Sequence, residues 1–159
     1  YYARELTYYS RWEEAIVALK KYLDMPEAKW NNERAYAMRL LGDSEEALGR
    51  DGMGWYRKGC AEDPNVRETW LALSSAASSK RLWAESFGAA LMALRIEEPV
   101  FTYTMDPFSY TAKPYDLAAL AAYYLGMKEK AKEFGAKALE LEPNNERLLK
   151  NMEYYNGSN

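Results

Sequence analysis

The sequence predicts an all-α fold built from antiparallel helix pairs, and three observations lead to it. Almost every segment carries apolar residues at helical spacing, and the alternation typical of a strand is hard to find. A helical pair with a turn glycine and a terminating proline stands out at 114–145, which indicates an internal repeat. The chain has 159 residues, 48% hydrophobic and 28% charged, so it can bury a core without disulfides and is not disordered or collagen-like.

The clearest unit runs from Pro114 to Asn145. An apolar helix ends near Gly126, and a second helix carries the small residues Ala131 and Ala138. Small side chains let two antiparallel helices approach closely, and glycine suits the turn between them. Pro143 then ends the second helix, because proline cannot continue the hydrogen-bond ladder.

This unit resembles the tetratricopeptide repeat (TPR), a pair of antiparallel helices with small residues at fixed positions and a proline near the end. The resemblance implies an α-solenoid of about four TPR-like helix pairs, a right-handed superhelix closed by a C-terminal capping helix. As one single domain, the chain divides into units at about 1–27, 33–65, 66–99 and 114–145, with the cap at 146–155.

Each earlier unit is justified by its own signals. In the first, the run Ser10 to Glu13 predicts a capping box ahead of a second helix. In the second, the turn is placed at Gly49 rather than Gly42, because Pro64 then follows at the distance typical of the family. The third unit has a turn without glycine at residues 79–81. The small residues of the four second helices are predicted to be Ala15, Gly54, Ser86 and Ala131.

An insertion at 97–114 interrupts the repeat between the third and fourth units. Its three prolines disfavour a helix, and its four aromatic residues disfavour a solvated linker. One interpretation is that the aromatics fill a gap in the helix stack. The alternatives are a wall for the groove of the solenoid or a dimer contact.

A second resemblance concerns the order of short motifs. The segments YYAREL, RWEEAI, RAYAMRLLGD and EDPNVRETWLALSS are similar to the helical region that follows the catalytic domain in bacterial family 2 glycosyltransferases. In that family the sugar transfer belongs to an upstream domain with an Asp-x-Asp metal motif, which this sequence lacks. The resemblance implies a non-catalytic, cytoplasmic, C-terminal segment that holds an acceptor or dimerises the enzyme.

The composition excludes several other functions. The chain has no histidine, so Ser-His-Asp catalysis and histidine zinc sites are ruled out. The single cysteine makes no disulfide within the chain, and the net charge of −3 does not suit a nucleic-acid binder. The longest nearly apolar run, 117–127, is too short to span a bilayer. We therefore expect no catalytic residue, no metal and no cofactor.

The TPR resemblance implies a binding groove along the outward positions of the first helix of each pair. Tyrosines interspersed with charges suit such a recognition surface. The expected partner is a protein or peptide, a second copy of the chain, or a glycosylation acceptor. The alternatives are a free-standing TPR adaptor and an all-helical carbohydrate-active enzyme. The predicted groove residues are Arg4, Tyr8, Tyr36, Arg39, Asp43, Glu68, Ser75, Ser79, Asp116, Tyr123 and Tyr124.

Overall fold

The computed structural model describes residues 2–97 and 105–157, apart from the side chain of Phe108. These ranges contain α-helices, one short 3-10 helix at Pro107–Tyr110, and no strand. The nine α-helices of these ranges are α1 (Tyr2–Tyr8), α2 (Trp12–Leu23), α3 (Asn31–Ala47), α4 (Met53–Glu62), α5 (Arg67–Ser79), α6 (Trp83–Arg95), α7 (Lys113–Tyr124), α8 (Lys128–Leu141) and α9 (Glu146–Tyr155).

The helices form four consecutive antiparallel pairs, α1–α2, α3–α4, α5–α6 and α7–α8, and α9 packs on the last pair. Each pair also contacts the next one, and the first helices α1, α3, α5 and α7 lie side by side along the stack. The core is correspondingly a row of apolar clusters between helices rather than one central mass. The all-α solenoid that the sequence predicts is therefore confirmed.

The four turns inside the pairs share one geometry. Each contains one residue in the left-handed region, with φ of 58° at Ser10, 73° at Gly49, 59° at Arg81 and 79° at Gly126. In every turn the N–H of the following residue donates to a carbonyl five residues earlier, as in the Schellman motif. The turn at Gly49 is confirmed, since α3 continues through Gly42. The third pair forms the same turn without glycine.

The second pair departs from the predicted pattern at its small residue. Three of the four expected small residues, Ala15, Ser86 and Ala131, are the fourth residues of their helices and are fully buried. In α4 the fourth residue is Tyr56, which is buried, whereas Gly54 is exposed with open space around it. The prediction of Gly54 was wrong because the turn between α3 and α4 is two residues longer than the other three.

Gly42 on α3 compensates for the large side chain of Tyr56. A Cβ atom added at Gly42 would lie 2.5 Å from Cε1 of Tyr56, so the ring occupies the space that a side chain would need. The longer turn is held by Glu46, whose Oε1 accepts a hydrogen bond of 2.8 Å from the N–H of Gly52. The second pair thus replaces the usual contact of two small residues by a glycine against a tyrosine.

Two helix ends show how capping differs from the expectation. The predicted capping box at Ser10 is wrong: Arg11 is the N-cap of α2, makes no side-chain cap, and Ser10 belongs to the preceding turn. At α9, by contrast, the Asn145 side chain accepts hydrogen bonds from the N–H groups of Arg147 and Leu148.

Close packing of α9 on α8 needs Gly135, where a Cβ would meet Met152 and Tyr155 at under 3 Å.

The described part of the insertion crosses between α5 and α7. The N–H of Asp106 donates to Oε1 of the buried Glu68 at 3.0 Å, and the Arg67 guanidinium lies over the Tyr110 ring, 4.4 Å from its centroid. Arg67 also donates to the carbonyl of Ile96 at 2.9 Å. The start of α5 therefore contacts Ile96, which precedes the insertion, and two residues of its second half; residues 98–104 lie outside the described residues.

Candidate binding groove

Three pockets border the first helices of the first three pairs, and the apolar one also borders α2. The apolar pocket has a volume of about 200 Å³ and is lined by Tyr2, Ala3, Arg4, Ala18, Leu19, Tyr22, Glu33, Tyr36, Ala37 and Leu40. The aromatic pocket measures about 640 Å³ and is lined by Arg4, Glu5, Thr7, Tyr8, Tyr9, Trp12, Leu40 and Asp43. The central pocket measures about 350 Å³ and is lined by Arg39, Asp43, Glu46, Tyr56, Glu68, Leu71, Ala72, Ser75, Ala76, Ser79, Asp106, Ser109 and Lys113.

The three pockets are connected through shared residues. Arg4 and Leu40 line both the apolar and the aromatic pocket, and Asp43 lines both the aromatic and the central pocket. The pockets therefore adjoin one another from α1 past α3 to α5, and we call the three together the groove. A partner lying along it would contact three successive first helices.

The central pocket is polar, and its charges are already organised. The Tyr56 hydroxyl donates to Oδ1 of Asp43 at 2.8 Å, and the Lys80 ammonium pairs with Oε1 of Glu46 at 2.5 Å. Burial raises the pKa of the Asp43 carboxyl above its ordinary value, although nearby Arg39 acts in the opposite direction. These contacts fix acidic groups at the wall of the pocket before any partner binds, which lowers the entropic cost of recognition.

Carboxylates outnumber cations around this pocket. Glu46 is paired with Lys80, and the remaining acidic residues of the lining are Asp43, Glu68 and Asp106. The cationic lining residues are Arg39, whose guanidinium lies 5.0 Å from the centroid of the Tyr36 ring, and Lys113. The pocket is therefore electrostatically suited to a basic side chain.

The structure brings most of the predicted groove residues together. Eight of the eleven line the three pockets: Arg4, Tyr8, Tyr36, Arg39, Asp43, Glu68, Ser75 and Ser79. They belong to the first three pairs, where they project from neighbouring first helices. Tyr8 is the most open of them, with 81% of its surface exposed.

The three groove residues predicted on the fourth pair lie elsewhere and make contacts within the chain. Asp116 pairs with Arg147 of α9 at 2.7 Å, and Tyr123 packs against Tyr155 with ring centroids 5.6 Å apart. Tyr124 stacks on Trp83 of α6, with centroids 4.3 Å apart and an angle of 9° between the rings. These side chains connect the fourth pair to its neighbours and are absent from the lining of the three pockets.

Sequence reasoning missed several lining residues. Tyr56 was missed because the α3–α4 turn is two residues longer than the other turns, which shifts the inward-facing position of α4 from Gly54 to Tyr56. Glu46 could have been found, because it lies three residues after Asp43 on the same face of α3. Ser109 and Lys113 follow no repeat pattern, since they come from the insertion and from the start of α7. The insertion thus contributes residues to the lining of the central pocket, and its role in binding stays a prediction.

The described residues include no group of three or more cysteine, aspartate and glutamate side chains arranged to hold a metal ion. Cys60 is buried, and desolvation raises the pKa of its thiol to about 12. In the same ranges, no helix has both the length and the hydropathy that crossing a bilayer requires.

The fold and the groove define a class: a TPR-type α-solenoid with its groove on the side of the first helices. Solved structures agree. The chain superposes on the crystal structure of MamA with a TM-score of 0.76 and 20% sequence identity, covering 98% of this chain and 83% of that one. PilF of Pseudomonas aeruginosa gives a TM-score of 0.67 and 14% identity, covering 99% of this chain and 64% of PilF.

Both neighbours are TPR proteins, so the chain has a TPR fold. No protein-family model matches the sequence, and no curated protein sequence matches it either. At these identities the likeness defines the fold, and the function has to be argued from the groove itself.

Proposed function

We propose that this chain is a non-catalytic interaction module that holds an extended segment of a partner protein in the groove. One observation supports the proposal: three adjoining pockets, which share lining residues, follow three neighbouring first helices, and their lining changes from apolar to polar along the way. A segment that places an apolar side chain in the apolar pocket and a lysine or arginine in the central pocket would satisfy both ends.

The experiment is a screen of peptides about 12 residues long, followed by fluorescence polarisation with the best of them. We expect the bound peptides to be enriched in lysine or arginine together with an aromatic or aliphatic residue. Affinity should fall with rising salt, because the central contact is electrostatic. Peptides without this enrichment, or no binding at all, would refute the proposal.

Three variants locate the binding. Ser75→Arg places a cation inside the central pocket and should abolish binding, whereas Ala136→Arg puts the same side chain on an exposed position of α8 and should have no effect. Asp43→Asn should weaken binding of basic peptides by roughly tenfold, the effect of removing one charge-assisted contact of about 1.4 kcal/mol. Equal effects of Ser75→Arg and Ala136→Arg would place the binding outside the groove.

We further propose that the module belongs to a bacterial glycosyltransferase and holds an acceptor protein for it. The support is the order of short sequence motifs described above. Sequencing the gene upstream tests this: an Asp-x-Asp domain encoded there is expected, and its absence would favour a free-standing adaptor. Sugar turnover by the 159-residue chain alone would instead require an all-helical enzyme.

A further inference from the structure

The central pocket contains two carboxylates that come from neighbouring helices. Asp43 belongs to α3 and Glu68 to the first turn of α5, and these two helices are in contact. Glu68 is only 7% exposed. Its neighbour Arg67 is directed at the carbonyl of Ile96 and at the ring of Tyr110. A buried carboxylate is costly unless it is paired or hydrogen-bonded, so what compensates Asp43 and Glu68 indicates what the pocket can accept.

Each of the two carboxylates has one oxygen that the chain holds and one that it does not. The Tyr56 hydroxyl donates to Oδ1 of Asp43 at 2.8 Å. The N–H of Asp106 donates to Oε1 of Glu68 at 3.0 Å. The second oxygens, Oδ2 of Asp43 and Oε2 of Glu68, accept no hydrogen bond from the part of the chain that the structure describes. Neither is a buried polar atom without a partner, so both can be reached from outside the protein.

The charges around the pocket leave one carboxylate in excess. Among the described residues, the lining includes four carboxylates and two cations, and Lys80, which pairs with Glu46, supplies a third cation. The acids are Asp43, Glu46, Glu68 and Asp106, and the lining cations are Arg39 and Lys113. One cationic group from a partner would balance four carboxylates against three cations.

The arrangement of the acids favours a cation whose donors are spread apart. In the described ranges, no three acidic side chains converge closely enough to surround a metal ion. A lysine ammonium has its three donors on one strongly hydrated nitrogen, whereas an arginine guanidinium has five donors along the edges of a weakly hydrated plane. Two edges of that plane can each meet one carboxylate, so a guanidinium suits acids that lie on two helices.

The apolar part of the lining suits the rest of an arginine side chain. Leu71, Ala72 and Ala76 of α5 form it, with Leu71 buried and the two alanines half-buried. The aliphatic stem of arginine packs on apolar surface while its charged end stays with polar groups. An arginine that enters along α5 would therefore find apolar surface for its stem and carboxylates for its end.

We propose that the basic anchor of the partner segment is an arginine whose guanidinium bridges Asp43 of α3 and Glu68 of α5. This inference rests on the proposed function and goes beyond it, because it selects arginine over lysine and names the two residues that select it. A lysine in the same place donates to one of the two carboxylates and leaves the other without a partner. That unpaired carboxylate is the source of the discrimination.

Fluorescence polarisation with matched peptides tests the selection. The peptides are those obtained from the screen, each made with arginine, lysine or citrulline at the basic position; citrulline keeps the shape of arginine without its charge. We expect lysine to weaken binding by about tenfold or more, because one charge-assisted contact is lost. Citrulline should weaken binding further, because neither contact is then charge-assisted on the side of the peptide.

Two isosteric variants assign the selection to the two carboxylates. Asp43→Asn and Glu68→Gln each remove one charge while keeping the oxygen that accepts a hydrogen bond within the chain. In either variant, arginine and lysine peptides should bind with nearly equal affinity. Glu140→Gln, at an exposed position of α8, is the matched control and should keep the full preference for arginine. Circular dichroism shows which variants are folded, and either pocket variant alone is sufficient for the test.

The outcomes separate this inference from the proposed function. If no peptide binds, the proposed function is wrong and the inference is overturned with it. Equal affinity of the wild-type chain for arginine and lysine peptides would overturn the inference and leave the interaction module in place. A preference for arginine that persists in both pocket variants would overturn the bridge between Asp43 and Glu68. Competition by N-acetylarginine amide at the affinity of the whole peptide would indicate a site for small guanidino compounds and overturn the assignment to a protein segment.

Discussion

Replacing Gly42 by alanine tests the contact between a glycine and a tyrosine that distinguishes the second pair. The new Cβ would lie 2.5–2.7 Å from three atoms of the Tyr56 ring, well inside van der Waals contact. Tyr56 cannot simply move aside, because it is 4% exposed and its hydroxyl is bonded to Asp43. The ring or the helix must shift.

The magnitude follows from two opposing effects. Forcing extra volume into a packed site costs about 1–3 kcal/mol. Glycine inside a helix is less favourable than alanine by about 0.5–1 kcal/mol, and this part is recovered by the substitution. We therefore expect Gly42→Ala to lower the free energy of unfolding by about 1–2 kcal/mol, which for a chain of this size lowers Tm by about 2–8 °C.

Thermal unfolding followed by circular dichroism is the assay, and Gly88→Ala is the matched control. Gly88 lies inside α6, where an added Cβ would have no atom within 4 Å, so alanine there should raise stability by about 0.5–1 kcal/mol. Opposite signs at the two glycines are the expected result. Equal effects would mean that helix propensity alone determines both.

The double variant Gly42→Ala with Tyr56→Ala decides whether the ring is the cause. It recreates the contact of two small residues seen at Ala119 and Ala131 in the fourth pair. In the Tyr56→Ala background, Gly42→Ala should stabilise rather than destabilise, a coupling of about 2–3 kcal/mol. Destabilisation in both backgrounds would refute the explanation.

Three further predictions concern single residues. Arg81→Gly should raise the free energy of unfolding by about 1 kcal/mol, because Arg81 has φ of 59°, a left-handed conformation that costs residues other than glycine about this much. Gly126→Ala should lower the free energy of unfolding by a similar amount. An unchanged Tm in both variants, measured by thermal unfolding, would contradict the role given to these turns. Cys60 should react with a thiol reagent at about pH 8 only after unfolding, because burial raises its pKa to about 12, and rapid labelling of the native chain would contradict this. The pKa of Asp43 is raised in the folded chain, so ionisation of its carboxyl opposes folding. The free energy of unfolding should therefore fall as the pH rises from the ordinary pKa of 3.8 through the raised pKa. Urea unfolding across this pH range measures the loss, which should be absent in Asp43→Asn.

Helix pairing could be predicted from sequence because it depends on local patterns. Apolar spacing, Gly49, Gly126 and the prolines after the second helices are all visible without tertiary information. The third pair shows what turn signals cannot predict, since Arg81 takes the left-handed conformation that Gly49 and Gly126 adopt in the second and fourth pairs. Here the Schellman hydrogen bonds and the packing of α5 on α6 outweigh the local cost.

The second pair shows where a repeat alignment fails. Gly54 lies twelve residues after Gly42, but the longer turn moves the position that faces Gly42 to Tyr56. The compensation between Gly42 and Tyr56 is a tertiary contact, and no local pattern encodes it.

The predicted groove residues line pockets on the first three pairs and make contacts within the chain on the fourth. Outward positions of α1, α3 and α5 line the pockets as the resemblance implied. On α7 the corresponding residues contact α6 and α9, so Asp116, Tyr123 and Tyr124 make contacts within the chain. Whether any of these residues binds a partner stays a prediction that the peptide experiments address.

The hydrogen bond between Asp106 and Glu68 has a consequence for how the chain unfolds. In a solenoid, each unit contacts only its neighbours, so the ends can fray while the middle persists. Asp106 and the 3-10 helix that follows it contact both α5 and α7, in addition to the packing of α6 against those two helices. The third and fourth pairs should consequently open as one cooperative unit, and amide exchange in α5 and α7 should proceed at a common rate.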